Sequence, residues 1–369
     1  MRLRRFTVHL CAIALGLCIT DAAPAADRAH TLNVYAWSDY FPVSVREQFQ
    51  AQTGIRINYT VFDDPDAVET TMAVGHSDYD IVVTNAAPHL GREVPKGFWK
   101  KLDQSRIPNA RNADPKIMQM LQSVDPGNQY AIPWMWGTTG LMYDRDKIKS
   151  LMPNAPLNSL DLVFKKELAA KFAKCGINML DSWVDIMPMV ARYLGQKELT
   201  TDPIALNAVV AKLQEARPYL RRIASSGYYE QLANGELCLA IGYSGDAMIA
   251  RRMIRESQSK LNVEYAHARE AVPLYIDTLV IPADSPNADG AHLFMNVVMR
   301  PEISAAVTRQ IGFASGNAAA VKLLEPAIRN NPAVFPPDEV RARFFLGHPY
   351  SPQETRIFVR AWQRFKTGN

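Results

Sequence analysis

The sequence has 369 residues, of which 48% are hydrophobic, 21% are charged and 9% are aromatic. These values are typical of a soluble globular protein, and they exclude a mainly disordered chain, which needs low hydrophobicity and high net charge. The 41 basic and 37 acidic residues give a formal net charge of +4, an excess too small to indicate a nucleic-acid partner. The length predicts about two domains.

Residues 1–25 have the pattern of a secretory signal peptide. Three arginines among the first five residues form the positive start, residues 6–19 are mostly apolar, and residues 23–25 offer a small-residue cleavage site. The apolar run is too short to span a bilayer stably, which takes about 20 residues. We therefore predict a soluble, exported protein. An N-terminal anchor and a lipoprotein signal at Cys18 are the alternatives.

Cys175 and Cys238 are the two cysteines that remain after this segment is removed. An even pair in an oxidising compartment favours one disulfide. Two buried free thiols are the alternative. The wide spacing, without a paired histidine motif, does not indicate zinc.

The N-terminal third is predicted to alternate strand and helix. Residues 31–36 form a short β-rich run, and a helical pattern over 43–52 ends at Gly54. Apolar residues then alternate over 55–61, as in a strand, and residues 79–84 form a near-continuous apolar run typical of a buried parallel strand. This order predicts an open α/β sheet.

Two extended stretches, residues 131–144 and 272–283, are predicted to cross between two lobes. The chain between them is rich in helical patterns over 157–260, interrupted by a short apolar run at 237–243. A later helix is predicted over 291–299. Two crossings in a two-lobed protein create a cleft, and open α/β sheets bind ligands beyond the carboxyl ends of their strands.

The last predicted helix covers residues 352–366. Its apolar spacing predicts that Ile357, Ala361 and Phe365 are buried.

An aromatic ring and a carboxylate stand within two or three residues of each other at three places near the predicted cleft. The pairs are Trp37 and Asp39, Tyr243 and Asp246, and Tyr275 and Asp277. Carboxylates form charge-assisted hydrogen bonds to ammonium groups, and aromatic faces attract cations and cover methylene chains. The combination predicts a cationic ligand.

Each pair also has a purely structural interpretation. Asp39 and Asp246 could each cap the helix that follows. Tyr275 and Asp277 alternate with Ile276, so both could lie on the solvent face of a strand.

Several longer motifs occur in a specific order. They are Tyr-Ala-Trp-Ser-Asp-Tyr at 35–40, Ile-Pro-Trp-Met-Trp-Gly-Thr-Thr-Gly at 132–140, Ala-Ile-Gly-Tyr-Ser-Gly-Asp at 240–246 and Phe-Pro-Pro-Asp-Glu-Val-Arg-Ala-Arg at 335–343. In this order and spacing the chain resembles the periplasmic polyamine-binding proteins of ABC transporters, most of all the putrescine type. The resemblance covers residues 31–369.

The resemblance implies a periplasmic binding protein fold of type II, with two α/β lobes joined by crossing hinge strands. Residues 26–133 with 275–320 are expected to form the first lobe, and residues 134–274 with 321–369 the second. It further implies capture of a polyamine, delivery to the permease subunits of an ABC transporter, and a monomer. Catalysis, a cofactor, a metal and nucleic acid are not expected.

Ligand contacts are carried over by position. Trp37, Ser38 and Asp39 are expected to hold one part of the amine, Asp246 and Asp277 its ammonium ends, and Tyr243 and Tyr275 its methylene chain. The family's cysteine pair matches Cys175 and Cys238.

Four positions depart from the family pattern. Asn85 stands where the family has serine, Asp185 where it has glutamate, Phe313 where it has tyrosine, and Tyr243 where it has tryptophan. All four are included in the expected ligand site. The acid at Asp246 favours putrescine, while agmatine, cadaverine and spermidine stay open.

Three other functions are weighed. A binding protein of this kind could sense an amine for a partner instead of feeding transport. Residues 242–246 (Gly-Tyr-Ser-Gly-Asp) resemble a hydrolase nucleophile elbow, but the final glycine is absent. The seven histidines are scattered without metal-binding spacing. The basic C-terminal region is interpreted as a solvated helix face and not as a site for an anionic partner.

Overall fold

The computed structural model describes residues 30–38, 40–62 and 65–368. The predicted signal peptide, residues 1–25, and the predicted ligand residue Asp39 lie outside the described residues. No helix in the described ranges is both long and apolar enough to cross a membrane.

Eleven strands of the described chain form one sheet. The strands are β1 (Thr31–Trp37), β2 (Arg56–Phe62), β3 (Ile81–Asn85), β4 (Ile132–Asp144), β5 (Ile177–Met179), β6 (Arg222–Ile223), β7 (Leu239–Tyr243), β8 (Val263–Ala266), β9 (Val272–Val280), β10 (Ala314–Ser315) and β11 (Phe344–Leu346).

Helices connect and cover these strands. The α-helices are Val43–Thr53, Pro65–Val74, Gly91–Glu93, Pro115–Leu121, Arg145–Leu151, Asp161–Phe164, Lys166–Phe172, Trp183–Tyr193, Pro203–Ala216, Tyr228–Ala233, Ser244–Glu256, Ala288–Val298, Pro301–Ile311, Ala318–Val321, Pro326–Arg329, Asp338–Arg341 and Pro352–Thr367. A π-helical turn is found at Ala86–Leu90, and 3-10 turns at Val94–Lys96, Gln104–Arg106, Pro108–Asn112 and Arg217–Tyr219.

The alternation of strand and helix predicted for the N-terminal third is confirmed from residue 31 onward. β1 pairs in parallel with both β2 and β3, and the helices Val43–Thr53 and Pro65–Val74 connect them in the predicted order. The first helix ends at Gly54, whose positive φ of 73° is a backbone conformation that glycine adopts without strain.

The two predicted crossings are strands β4 and β9, which pair with each other antiparallel at the middle of the sheet. The sheet order is β2-β1-β3-β9-β4-β7-β5-β6. All 13 residues of β4 are buried. Its first half pairs with β9 and its second half with β7 and β8, so this one strand joins the two ends of the sheet.

Two separate hydrophobic cores lie on either side of this junction. The first contains Trp134 and Trp136 of β4, with residues from the N-terminal third and from helices Ala288–Val298 and Pro301–Ile311. The second contains Leu141 and Tyr143 of β4, with the chain that follows and the last helix. We use first lobe and second lobe for the parts built on these two cores. The precise limits of the lobes stay a prediction.

The last helix, Pro352–Thr367, begins with Ser351 and Glu354 in a reciprocal capping box. Ala361 and Phe365 are buried as predicted, but Ile357 is only partly buried. Phe358 and Trp362 are buried in addition, so the face that meets the second core is the helical stripe of Phe358, Ala361, Trp362 and Phe365.

Candidate functional site

The site is centred on Asp277, a carboxylate in the middle of β9 that is only 2% exposed. Its side chain accepts hydrogen bonds from two donors on two neighbouring segments. The donors are the Asn85 amide and the Tyr40 hydroxyl, and the Trp37 side chain lies close enough to lower the pKa of the carboxylate. The interpretation of Asp277 as a solvent-facing strand residue is therefore wrong.

The sheet brings these groups together. β3 pairs antiparallel with β9, and Asn85 lies directly opposite Asp277 at the carboxyl end of β3. Trp37 is the last residue of β1, which is the neighbour of β3. The ligand position beyond the carboxyl ends of the strands is the one that the sequence predicts.

A second carboxylate, Asp246, lies in the first turn of helix Ser244–Glu256 in the second lobe. The buried Tyr228 hydroxyl donates to it at 2.5 Å. The same hydroxyl oxygen accepts from the Tyr243 backbone N–H at 3.0 Å, which ties the carboxylate to the end of β7. Asp246 is not the helix N-cap, as the alternative interpretation holds, because the helix begins two residues earlier at Ser244.

The third carboxylate, Asp185, is held by three hydroxyl groups of the second lobe. Ser182 donates at 2.5 Å, Tyr243 at 3.0 Å and Thr139 at 3.1 Å. The Tyr243 hydroxyl reaches Asp185 because Tyr243 lies opposite Thr139 in the β4–β7 ladder.

Four aromatic rings of the site contact one another in series. The Tyr243 and Tyr275 rings meet edge to face with their centroids 5.4 Å apart. The Phe313 ring lies 5.7 Å from the Tyr40 ring and 6.4 Å from the Tyr275 ring. Tyr275 is half-buried and belongs to this group of rings, so its interpretation as a fully solvated strand residue is also wrong.

Burial dominates the electrostatics of the site. It raises the pKa of Asp277 to about 7, and it raises the pKa of Asp246 to about 7 as well. Burial also raises the pKa of Asp185, although its three hydroxyl donors oppose the rise. In the described part of the chain, no lysine or arginine forms an ion pair with any of the three. A cation entering this site would supply the missing countercharge.

The predicted site residues are thus largely assembled. Trp37, Asn85, Asp277, Tyr275 and Phe313 are linked by contacts on the first-lobe side, and Tyr243, Asp246 and Asp185 on the second-lobe side. Ser38 lies in an exposed turn after β1 and has no described contact with this cluster. Asp39 is outside the described residues.

Four residues of the cluster were not predicted. Tyr40 donates to Asp277, Tyr228 donates to Asp246, and both Thr139 and Ser182 donate to Asp185. Tyr40 follows the predicted Trp37-Ser38-Asp39 segment directly, so its position was a usable signal. Tyr228 lies in a separate short helix, and no local pattern connects it to Asp246.

The predicted disulfide is present. Cys175 and Cys238 are bonded, with their Cα atoms 5.5 Å apart. The bond joins the segments that precede β5 and β7, two paired strands of the second lobe.

A family profile described as "Bacterial extracellular solute-binding protein" matches residues 44–336 of the chain. The putrescine-binding periplasmic protein SpuD of Pseudomonas aeruginosa is 39% identical over 367 residues, which cover 99% of this chain and 100% of that protein. The putrescine-binding periplasmic protein PotF of Escherichia coli is 34% identical over 358 residues, which cover 96% of each chain.

A solved structure with a similar fold is the spermidine/putrescine ABC transporter substrate-binding protein PotD of Streptococcus pneumoniae. It superposes with a TM-score of 0.78 at 25% identity, and the match covers 92% of this chain and 99% of that one.

Proposed function

The chain belongs to the bacterial extracellular solute-binding proteins. On that premise we propose that it captures a linear polyamine between its two lobes and delivers it to the permease of an ABC transporter. Putrescine is the ligand that we favour.

The observation that carries this proposal is a set of buried carboxylates for which the described part of the chain supplies no cationic partner. Asp277 is almost fully buried, and the ammonium or guanidinium group that would neutralise it is missing from its described surroundings. An isolated buried charge is costly, so such a group either takes up a proton or binds a cation. An alkylammonium group satisfies the carboxylate through charge-assisted hydrogen bonds.

The arrangement of rings and acids favours a diamine over a single cation. Asp277 belongs to the first-lobe side and Asp246 to the second-lobe side. The Tyr275 ring contacts the Tyr243 and Phe313 rings, and its hydroxyl interacts electrostatically with both acids. In the proposed complex each ammonium end is paired with one acid, and the rings cover the methylene chain. Trp37, Ser38, Asp39, Asn85 and Asp185 complete the proposed ligand site.

The choice of putrescine rests on two supports. SpuD and PotF, which match nearly the whole chain, are both named putrescine-binding periplasmic proteins. The acid at Asp246 is the feature by which the sequence favours the putrescine type. Agmatine, cadaverine and spermidine are the competing ligands.

We propose that the mature protein acts in the periplasm as a monomer, after removal of residues 1–25. It has no catalytic role in this account. Ser244, the serine of the elbow-like segment, is buried at the start of its helix, and its hydroxyl oxygen accepts from the Thr138 backbone N–H at 3.2 Å. This bond gives Ser244 a structural role between β4 and the helix.

A thermal-shift screen across putrescine, cadaverine, agmatine and spermidine tests the ligand. A compound that binds only the folded state raises the melting temperature as its concentration exceeds Kd. We expect putrescine to raise it at the lowest concentration. If none of the four amines changes the melting temperature, the proposal is wrong.

A sensor that presents amine occupancy to a partner is the second candidate. Uptake of labelled putrescine by cells with and without the gene separates the two. Unchanged uptake in cells that lack it favours the sensor, and lost uptake favours the transport receptor.

A further inference from the structure

The two lobes also touch outside the ligand site, through helix Ser244–Glu256 of the second lobe. Met248 on this helix packs against both hydrophobic cores. Among the partly buried hydrophobic residues of the described chain, it is the one that does so. The amide of Asn331 also contacts its sulfur, at 3.1 Å.

One turn further along the same helix, Arg252 donates from its guanidinium to the backbone carbonyl of Gln310. Gln310 is in the last turn of helix Pro301–Ile311, which packs in the first core. Carbonyls of a last helical turn lack intrahelical partners and form the negative end of the helix dipole. The Arg252 guanidinium therefore donates to a carbonyl that has no partner within its helix, and its positive charge complements the negative end of that helix dipole.

The backbone of the first lobe is shaped for this approach. Helix Pro301–Ile311 ends at Gly312, which has a positive φ of 81°. A Cβ atom at Gly312 would lie 2.8 Å from the Met248 Cβ atom, which is shorter than the distance between two nonbonded carbon atoms in contact. The absence of a side chain at Gly312 thus allows Met248 to reach the first lobe.

We propose that Met248 and Arg252 form an interlobe clasp that stabilises the closed form and so sets how long the ligand is held. The inference rests on the proposed binding function. Asp246, a proposed ligand residue, lies on the same helix, two residues before Met248. Because a helix moves as a rigid element, engagement of Asp246 by the ligand and engagement of the clasp occur together.

The clasp acts through the equilibrium between open and closed forms. Contacts made only in the closed form raise its population, and apparent affinity scales with the population of the binding-competent state. Met248 and Arg252 are thus positioning residues for closure. Their loss is expected to speed ligand release without removing any ligand contact.

Arg252→Met is the first test, because methionine keeps the aliphatic stem and removes the hydrogen-bond donors. Arg251→Met, at the adjacent and exposed position, is the matched control. We expect putrescine to bind Arg252→Met about fivefold more weakly, through faster dissociation, as for the loss of one partly exposed charged contact. Without ligand, Arg252→Met should have the same melting temperature as Arg251→Met.

A distance measurement tests the clasp without relying on the identity of the ligand. Spin labels at Val74→Cys and Ile204→Cys, two positions that are 81% and 84% exposed on different lobes, report lobe separation. We expect Arg252→Met to shift the unliganded distribution toward longer distances, and Met248→Ala with Arg252→Met to shift it further.

The outcomes separate this inference from the proposed function. If the wild-type protein binds none of the amines but the variants still lengthen the lobe separation, the clasp stands and the proposed ligand is wrong. If Arg252→Met leaves the distance distribution and the dissociation rate of putrescine at the values of the Arg251→Met control, the clasp is wrong.

Discussion

Asn85 and Asp277 face each other across the β3–β9 ladder, and the amide of Asn85 donates to the carboxylate of Asp277. An amide donor next to a buried carboxylate stabilises its charged form without neutralising it. Together with the Tyr40 hydroxyl, it holds the carboxylate in one orientation. The site is therefore preorganised for a cation before one binds.

Ligand affinity should depend on pH through Asp246 and Asp277. Burial raises the pKa of each to about 7, and binding an ammonium group must lower both values because it favours the charged form. Binding therefore releases protons near neutral pH, and affinity falls as pH drops below about 7, by up to about tenfold per unit for each carboxyl. Calorimetry of putrescine in two buffers of different ionisation enthalpy measures the release. An affinity for putrescine that is constant between roughly pH 5 and 8 would contradict the role of these two carboxyl groups in binding.

Asp277→Asn should stabilise the unliganded protein at alkaline pH. The pKa of Asp277 is raised by burial from 3.8 in the unfolded chain to about 7 in the folded one. The charged Asp277 carboxylate therefore destabilises the folded protein. This destabilisation is absent below the pKa of the unfolded chain, grows as pH rises between the two pKa values and is complete above about pH 7. We expect urea unfolding to show a gain of about 1–3 kcal/mol at pH 8 and none near pH 4. An equal change at both pH values would contradict this cause.

Gly245→Ala should weaken ligand binding while leaving the second lobe folded. A Cβ atom at Gly245 would lie 2.4 Å from the Phe313 ring, which belongs to the first lobe. Alanine favours the helix by up to about 1 kcal/mol over glycine, so the change opposes lobe closure and not folding. Putrescine titration and thermal unfolding measure the two effects.

Gly347→Ala is the matched control for this change, since a Cβ atom there would lie at an ordinary 3.7 Å from Ala87. Wild-type affinity in Gly245→Ala would show that Phe313 does not approach the helix in the bound form.

The paired variant Cys175→Ala with Cys238→Ala should lose about 2–4 kcal/mol of unfolding free energy, as is typical when a disulfide that closes a long loop is removed. The bond encloses a separation of 63 residues in the second lobe. Urea unfolding of the variant, with the reduced wild-type protein for comparison, measures the loss. Equal stability of the variant and the oxidised wild type would contradict a stabilising role.

Local periodicity was sufficient to predict much of the fold. Alternation over 55–61 and the apolar run at 79–84 correspond to β2 and β3, because the faces of these strands are set by side chains within the strand itself. In the last helix the predicted Ile357 is only partly buried, while Phe358 and Trp362 are buried. Ile357 and Phe358 are both apolar. Which of the two is buried is decided by packing against the second core, and that information is not in the helix sequence.

The site was predicted less completely, for a similar reason. Asp246 and Asp277 were singled out because each stands near an aromatic residue in the sequence. Tyr228 and Thr139 were missed because their contacts with Asp246 and Asp185 exist only after distant segments have packed. Local patterns also left open a cap at Asp246 and a solvent-facing position for Asp277. The start of the helix at Ser244 excludes the first, and burial in the assembled sheet excludes the second.

The most direct test of the account is calorimetric titration of putrescine into the mature wild-type protein, Asp277→Asn and Asp338→Asn at about pH 8, above the raised pKa values. Asp338 is an exposed aspartate whose side chain pairs with Lys116 at 2.7 Å, so it makes a matched control for the lost charge. The account predicts binding by the wild type and by Asp338→Asn, and none by Asp277→Asn. Wild-type affinity in Asp277→Asn would contradict the claim that this buried carboxylate, which has no ion-pair partner among the described residues, binds the amine.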